Sequence, residues 1–197
     1  MIDPIVEMLK DGQTWLRVAD AGWDDPLDPS FAQRHGGRWN PPASYPTLYL
    51  NEDVETARSQ IHRMLEGSPV RPEDLDERFV LVAATLPSRQ RVADAVTDHG
   101  LASLGLATSY PLDDADRRIE HAVCQPVGEA VHGLGLRGVH TRSASPIDGV
   151  DRELAWFPAR ASSKATLSGP PIPFHDWYPT RPATDTARIR AVSAPRS

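Results

Sequence analysis

Seven consecutive residues, Gly36-Gly37-Arg38-Trp39-Asn40-Pro41-Pro42, close off most conformations to the chain around them, and Thr47-Leu48-Tyr49-Leu50 follows after a short spacer. The glycines reach backbone angles barred to other residues and allow close approach, while Pro41-Pro42 cannot continue a helix and pushes Asn40 toward extended geometry. A single arginine is therefore held stiffly on a turn directly ahead of a strand, which is how a chain builds an anion-binding corner. The segment alone leaves two readings of Arg38 open: a ligand for an anion, or a structural arginine paired with a carboxylate.

A chain of 197 residues can bury roughly 70% of its unfolded surface, enough for one sizeable core without metals or disulfides. Cys124 is the only cysteine, so no intrachain disulfide forms and nothing points to an oxidising compartment. In its helical setting it reads as a packed small apolar residue. The opening Met1-Ile2-Asp3-Pro4-Ile5-Val6-Glu7 lacks the basic region and apolar run of a signal peptide. No apolar run approaches the roughly 20 residues that span a bilayer, so the expectation is a cytoplasmic protein without membrane contact. With 21 Lys plus Arg against 27 Asp plus Glu, the net charge of -6 repels nucleic acid. A small anionic ligand answers instead to a few local cations, for which Arg38 and Arg142 are the candidates.

Thr14 to Val18 reads as a strand, the acidic stretch from Asp20 to Ser30 as a loop, and Thr47 to Leu50 as a second strand. From Glu52 the pattern is helical, with Val54, Ala57, Ile61, Met64 and Leu65 on one face and Gly67 just past the end. Phe79 to Leu86 reads as a buried strand. A second helix uses Ile119, Ala122, Val123, Val127, Ala130, Val131 and Leu134, with Pro126 either starting or kinking it. Leu136 to Thr141 and Glu153 to Phe157 complete the strands. Mixed without regular alternation, these elements predict a compact single α+β domain around a twisted mixed sheet with flanking helices. After about Ser162 the chain turns Pro- and Ser-rich, yet Phe174, Trp177 and Tyr178 carry too much apolar surface to stay free. The expectation is a domain over residues 1–162 and an extension over 163–197, docked through 174–178, with the last 15 or so residues mobile.

The opening signature, its tyrosine-bearing strand and the helix after it resemble the RES domain family. Gly135-Leu136-Arg137-Gly138-Val139-His140-Thr141-Arg142-Ser143 is similar to that family's second block, and Glu153-Leu154-Ala155-Trp156-Phe157 to its closing strand. The resemblance covers about residues 14–160. It implies a fold like that of ADP-ribosyltransferases and a bacterial toxin that consumes NAD or transfers its ADP-ribose. NAD would be a substrate and not a tightly bound cofactor. It also implies an Xre-like helix-turn-helix antitoxin as partner, with a homo-oligomer left open. A silent module that keeps the ligand or the partner but not the chemistry is the rival reading.

Cleaving the nicotinamide–ribose bond builds positive charge on the ribose, so electrostatics should dominate catalysis. Arg38 suits the pyrophosphate, Tyr49 offers a flat surface, and Ser143 can bond a ribose hydroxyl or the nicotinamide amide. These match the family's Arg, Tyr and Ser, with Trp39 and Arg142 beside them as ligand contacts. The departure is at the fourth catalytic position, eleven residues after the tyrosine, where the family's glutamate is Gln60. Losing a carboxylate about 4 Å from a unit charge, at an effective dielectric near 20, removes on the order of 4 kcal/mol, or roughly a thousandfold in rate. Glu153, near Ser143 in sequence, is the candidate substitute, and His140 or Thr141 can reach the same cleft. The seven histidines form no HExxH or paired metal spacing, so no metal is expected, and no nucleophile elbow, P-loop or Rossmann pattern is present.

Overall fold

The computed structural model describes residues 2–145, 150–158 and 165–178; the last 15 residues, expected to be mobile, lie outside them. Nine strands among the described residues form one sheet in the order β1-β5-β6-β7-β3-β2-β4-β8, with β9 also on β4. They are β1 (Val6–Met8), β2 (Thr14–Asp20), β3 (Leu48–Asn51), β4 (Phe79–Thr85), β5 (Arg91–Ala95), β6 (Gly138–Arg142), β7 (Arg152–Trp156), β8 (Thr166–Leu167) and β9 (Ile172–Pro173). Only β5 and β6 pair in parallel, so the sheet is mixed and the fold α+β, in agreement with the sequence. No helix among the described residues is long and apolar enough to cross a membrane.

Strand register sets what each face carries. Tyr49 lies opposite Ala155 and Asn51 opposite Glu153, and across the next pair Val139 meets Ala155 and Thr141 meets Glu153. Alternation puts these residues on one face and Leu48, Leu50, Leu154 and Trp156 on the other. The second face is wholly apolar at its centre and packs with Trp15, Val82, Ala84 and Val92. The first face holds two separate apolar clusters. One gathers Ala93, Val139 and Ala155 with Cys124 and Val131 of α4 (His121–Gly133); the other gathers Leu81 with Ala57 and Ile61 of α2 (Val54–Leu65). Between them runs the polar row of Asn51, Glu153 and Thr141, and the candidate site opens there.

The helices follow their sequence signals in part. Asp53 caps α2, accepting from the Thr56 N–H at 2.8 Å, and Ala57 and Ile61 are buried, but Met64 is 47% exposed and belongs to no core. The other large helix runs from His121 straight through Pro126, which neither begins it nor ends it. Proline removes one helix bond, but Cys124, Gly128 and Val131 recur on one face and bury fully, so packing overrides the local break. Short elements without a periodic signal went unforeseen: β1, β5, α1 (Ser30–His35) and α3 (Asp98–Ser103). In α5 (Phe174–Trp177) and just beyond, Phe174, Trp177 and Tyr178 are buried against Ala57, Ile61, Leu75 and Leu81.

Candidate active site

The arginine turn is locked by its own neighbours. Gly36 takes φ 76°, the left-handed region that glycine supplies, and the Gly37 N–H closes the turn on the Asn40 carbonyl at 2.9 Å. Tyr49 accepts the Trp39 N–H at 2.8 Å and donates to Asn40 Oδ1 at 2.9 Å, while Asn40 Nδ2 donates to the Ala32 carbonyl at 2.7 Å. A Cβ at Gly37 would stand 2.6 Å from Tyr49 Cε2, so the close approach that this glycine permits is to the tyrosine ring. Helix α4 presses on the same turn: a Cβ on Gly128 would fall 1.8 Å from the Trp39 carbonyl oxygen, and Gln125 Nε2 donates to the Gly37 carbonyl at 2.9 Å.

From this frame Arg38 Nη1 donates to the Ile119 carbonyl at 2.7 Å and touches Cys124 Sγ at 3.9 Å. Burial opposes its charge, but Tyr110, Cys124 and Glu153 outweigh that, so the guanidinium stays protonated. No protein hydrogen bond from its Nε or Nη2 is found among the described residues, and the side chain lines a cavity of about 330 Å³. Tyr49, Trp39 and Gln60 line the same cavity, as do Arg17, Arg63, Arg118, His121 and Glu153. Burial lowers the Arg17 pKa to about 10, against the pull of Asp28 and Asp25, so it too is charged at neutral pH. Burial and then Arg38 and Arg63 hold His121 below its ordinary value, which leaves it neutral. A larger cavity of about 420 Å³ shares only Arg118 with that lining and sets Asp113, Asp114 and Glu120 against Arg117, so it offers no net positive field.

The structure brings Arg38, Trp39, Tyr49 and Gln60 to one cavity and treats the other expected site residues differently. Trp39 is 1% exposed and packs on Tyr110, so little of it can meet a ligand. The Tyr49 hydroxyl is spent on the turn, and burial raises its pKa. Ser143 is fully buried and absent from the cavity wall; its Oγ accepts the Ser145 N–H at 3.1 Å and helps to stabilise the Glu153 carboxylate. Arg142 does not reach the cavity, because its guanidinium donates to the carbonyls of Val96 at 2.8 Å and Thr108 at 2.6 Å and to Asp98 at 2.6 Å, tying β6 to α3. Arg142 thus ties elements together and has no place on this cavity's wall. His140 pairs with Glu7 and meets Trp15 edge-on, and Thr141 is buried, so neither lines the cavity. Cys124 is buried and burial raises its pKa, which keeps the thiol protonated. No group of residues fit to hold a metal ion occurs among the described residues.

Gln60 sits at the cavity floor between two polar partners. Its Oε1 accepts from Asn51 Nδ2 at 3.2 Å and its Nε2 donates to Glu153 Oε2 at 3.2 Å, while Glu153 Oε1 accepts the Ala144 N–H at 2.9 Å. Burial raises the Glu153 pKa; the Ala144 N–H, Arg38, Gln60 and Ser143 oppose that rise without cancelling it. Arg17, Arg63 and Arg118 carried no local signal as site residues, since they lie on β2, on α2 and ahead of α4 and meet only in the fold.

An α+β domain with a cationic cleft, built on a glycine-arginine turn and floored by a carboxylate, defines the kind of protein this is. The chain belongs to the RES domain family, whose model matches residues 14–176. It is 26% identical over 123 residues to the NAD(+) phosphorylase MbcT of Mycobacterium bovis and of Mycobacterium tuberculosis, across 62% of this chain and 63% of theirs. The match therefore spans about 63% of the length of those curated relatives. In three dimensions it is similar to a chain in the crystal structure of the M. tuberculosis MbcT–MbcA toxin–antitoxin complex. There the TM-score is 0.69 at 22% identity, over 86% of this chain and 89% of that one, which marks a common fold.

Proposed function

We propose that this protein binds NAD in the Arg38 cleft and breaks its nicotinamide–ribose bond, as a toxin of the RES family. One observation carries the reading: four arginines, at 17, 38, 63 and 118, surround a single carboxylate, Glu153, in a chain whose net charge is -6. That is a local field for a small polyanion such as a pyrophosphate, inside a molecule that repels large ones. Arg38, fixed by the turn and with free donors toward the cavity, grips phosphate oxygens, and the ring of Tyr49 forms the adjoining wall.

In the reaction the bond between ribose C1′ and the nicotinamide ring nitrogen breaks, and its electron pair goes to that nitrogen, so nicotinamide leaves neutral. The ribosyl carbon carries the positive charge until an acceptor oxygen adds to it and loses its proton to solvent. NAD is then a consumed substrate and not a resident cofactor. The name of the mycobacterial relatives, NAD(+) phosphorylase, supports phosphate as acceptor over water or a side chain. The toxin–antitoxin complex formed by the structural relative supports an antitoxin partner, for which we propose an Xre-like helix-turn-helix protein, acting in the cytoplasm where NAD is consumed. We also take residues 163–197 as an extension of the domain that docks through positions 174–178.

The test is nicotinamide release from NAD by the purified protein, with and without phosphate, beside calorimetry of NAD binding. Release that depends on phosphate is the expected result. The absence of both binding and release would overturn the proposal, and binding without release would make the protein a silent member of the family.

A further inference from the structure

The family's acid position on α2 is held here by an amide, yet the cleft does contain a carboxylate, and the two are in contact. Gln60 Nε2 donates to Glu153 Oε2 at 3.2 Å, and Asn51 Nδ2 in turn donates to Gln60 Oε1 at 3.2 Å. The chain of donors has one direction: it ends on the carboxylate, whose other oxygen takes the Ala144 N–H at 2.9 Å. We infer that Glu153, not a residue of α2, is the acid that faces the developing ribosyl charge, and that Gln60 is the positioning residue that aims it. This rests on the NAD-cleaving reading above.

Glu153 stands on β7 in the register Asn51–Glu153–Thr141, the polar seam between two apolar clusters. A carboxylate kept there against desolvation, where an apolar residue would pack at less cost, is the mark of a group retained for chemistry. Burial raises its pKa, and the Ala144 N–H, Arg38, Gln60 and Ser143 oppose that rise by favouring the carboxylate. The other titratable groups that face it are Tyr49 and Tyr110, held neutral by burial, and across the cavity Arg17, Arg63, Arg118 and the neutral His121, while Arg38 acts on it directly. In the transition state the ionised Glu153 opposes the charge left on C1′ as the electron pair departs with nicotinamide; no proton has to move from Glu153 for that step to balance.

The consequence separates two hypotheses about Gln60. If Gln60 merely replaced the acid, Gln60→Glu would restore a missing charge and raise the rate. With Glu153 in place, the same change sets two carboxyl groups at hydrogen-bond distance, where they share one proton and titrate as a pair. Sharing a proton, the pair carries no more negative charge than the single ionised Glu153 that the step requires.

The experiment measures kcat, NAD affinity and the pH profile of nicotinamide release for the full chain and two variants. Glu153→Gln is expected to lower kcat by roughly a hundred- to a thousandfold while NAD affinity stays within about tenfold. Gln60→Glu is expected to give no gain at neutral pH and to move the acid limb of the profile downward, because ionised Glu153 is required and the added carboxyl, donating the shared proton to it, keeps it ionised to lower pH. A Glu153→Gln protein that keeps its kcat, a Gln60→Glu protein that is tenfold faster or more, or an unshifted acid limb would each overturn the inference. If Glu153→Gln does not fold, Gln60→Glu decides alone. Failure of the NAD reading looks different: the unmodified protein itself would neither bind NAD nor release nicotinamide.

Discussion

Arg38 stands for what residue-level reasoning reaches and where it stops. As a turn arginine its removal would cost binding and little else. In the fold it also donates to the Ile119 carbonyl at 2.7 Å, joining the turn to the segment that leads into α4. Arg38→Ala is therefore expected to abolish measurable NAD binding and to cost about 1–3 kcal/mol of stability, the range for a buried acceptor left unpaired. Calorimetry checks the first and chemical denaturation the second; unchanged affinity would return Arg38 to the structural residues. Tyr49 shows the converse, since its hydroxyl, bonded to Trp39 N and Asn40 Oδ1, shapes the turn and is not available to a ligand.

At the scale of elements, the site depends on how closely α4 approaches the arginine turn. Gly128 is the point of contact, with no room for a Cβ beside the Trp39 carbonyl. The neighbour is backbone and cannot swing away, so Gly128→Ala forces the helix and the turn apart. We expect a loss of about 2–4 kcal/mol, larger than any gain in helix propensity, together with weaker NAD binding as Arg38 moves. Urea denaturation and calorimetry on the variant check both. A variant as stable as the parent would show that α4 tolerates displacement and that the turn is not seated by it. A periodicity argument sees Pro126 as a break and Gly128 as a weakness; only the partner surface explains why the helix keeps both.

For the whole molecule, the aromatic cluster near the end of the described chain is part of the core. Phe174 is fully buried and stacks with Tyr178 at 4.9 Å between ring centroids, over the apolar side of α2 that also presents Gln60 to the cleft. Phe174→Ala is expected to cost about 3–5 kcal/mol, and because α2 loses its backing, NAD turnover should fall with stability. A denaturation midpoint like that of the parent would mean the cluster is held independently of the domain. The sequence by itself determined a good deal here. The arginine turn, α2, α4, the five strands β2, β3, β4, β6 and β7, the α+β class and the family likeness were all legible, because each is written in neighbouring residues: turn chemistry, a period of 3.6 or a run of apolar side chains. Strands β1 and β5 are too short or too uniform to declare themselves; β5 forms on the edge that β6 offers, and β1 on the edge that β5 offers in turn. Tertiary structure alone decided that Arg142 turns away to the carbonyls of Val96 and Thr108, that Ser143 lies behind the cavity wall, and that Glu153 meets Gln60 across 93 residues of chain. The physical reason is that strand register and helix packing, not sequence spacing, fix which side chains share a face, and electrostatic partners are chosen only after that face exists.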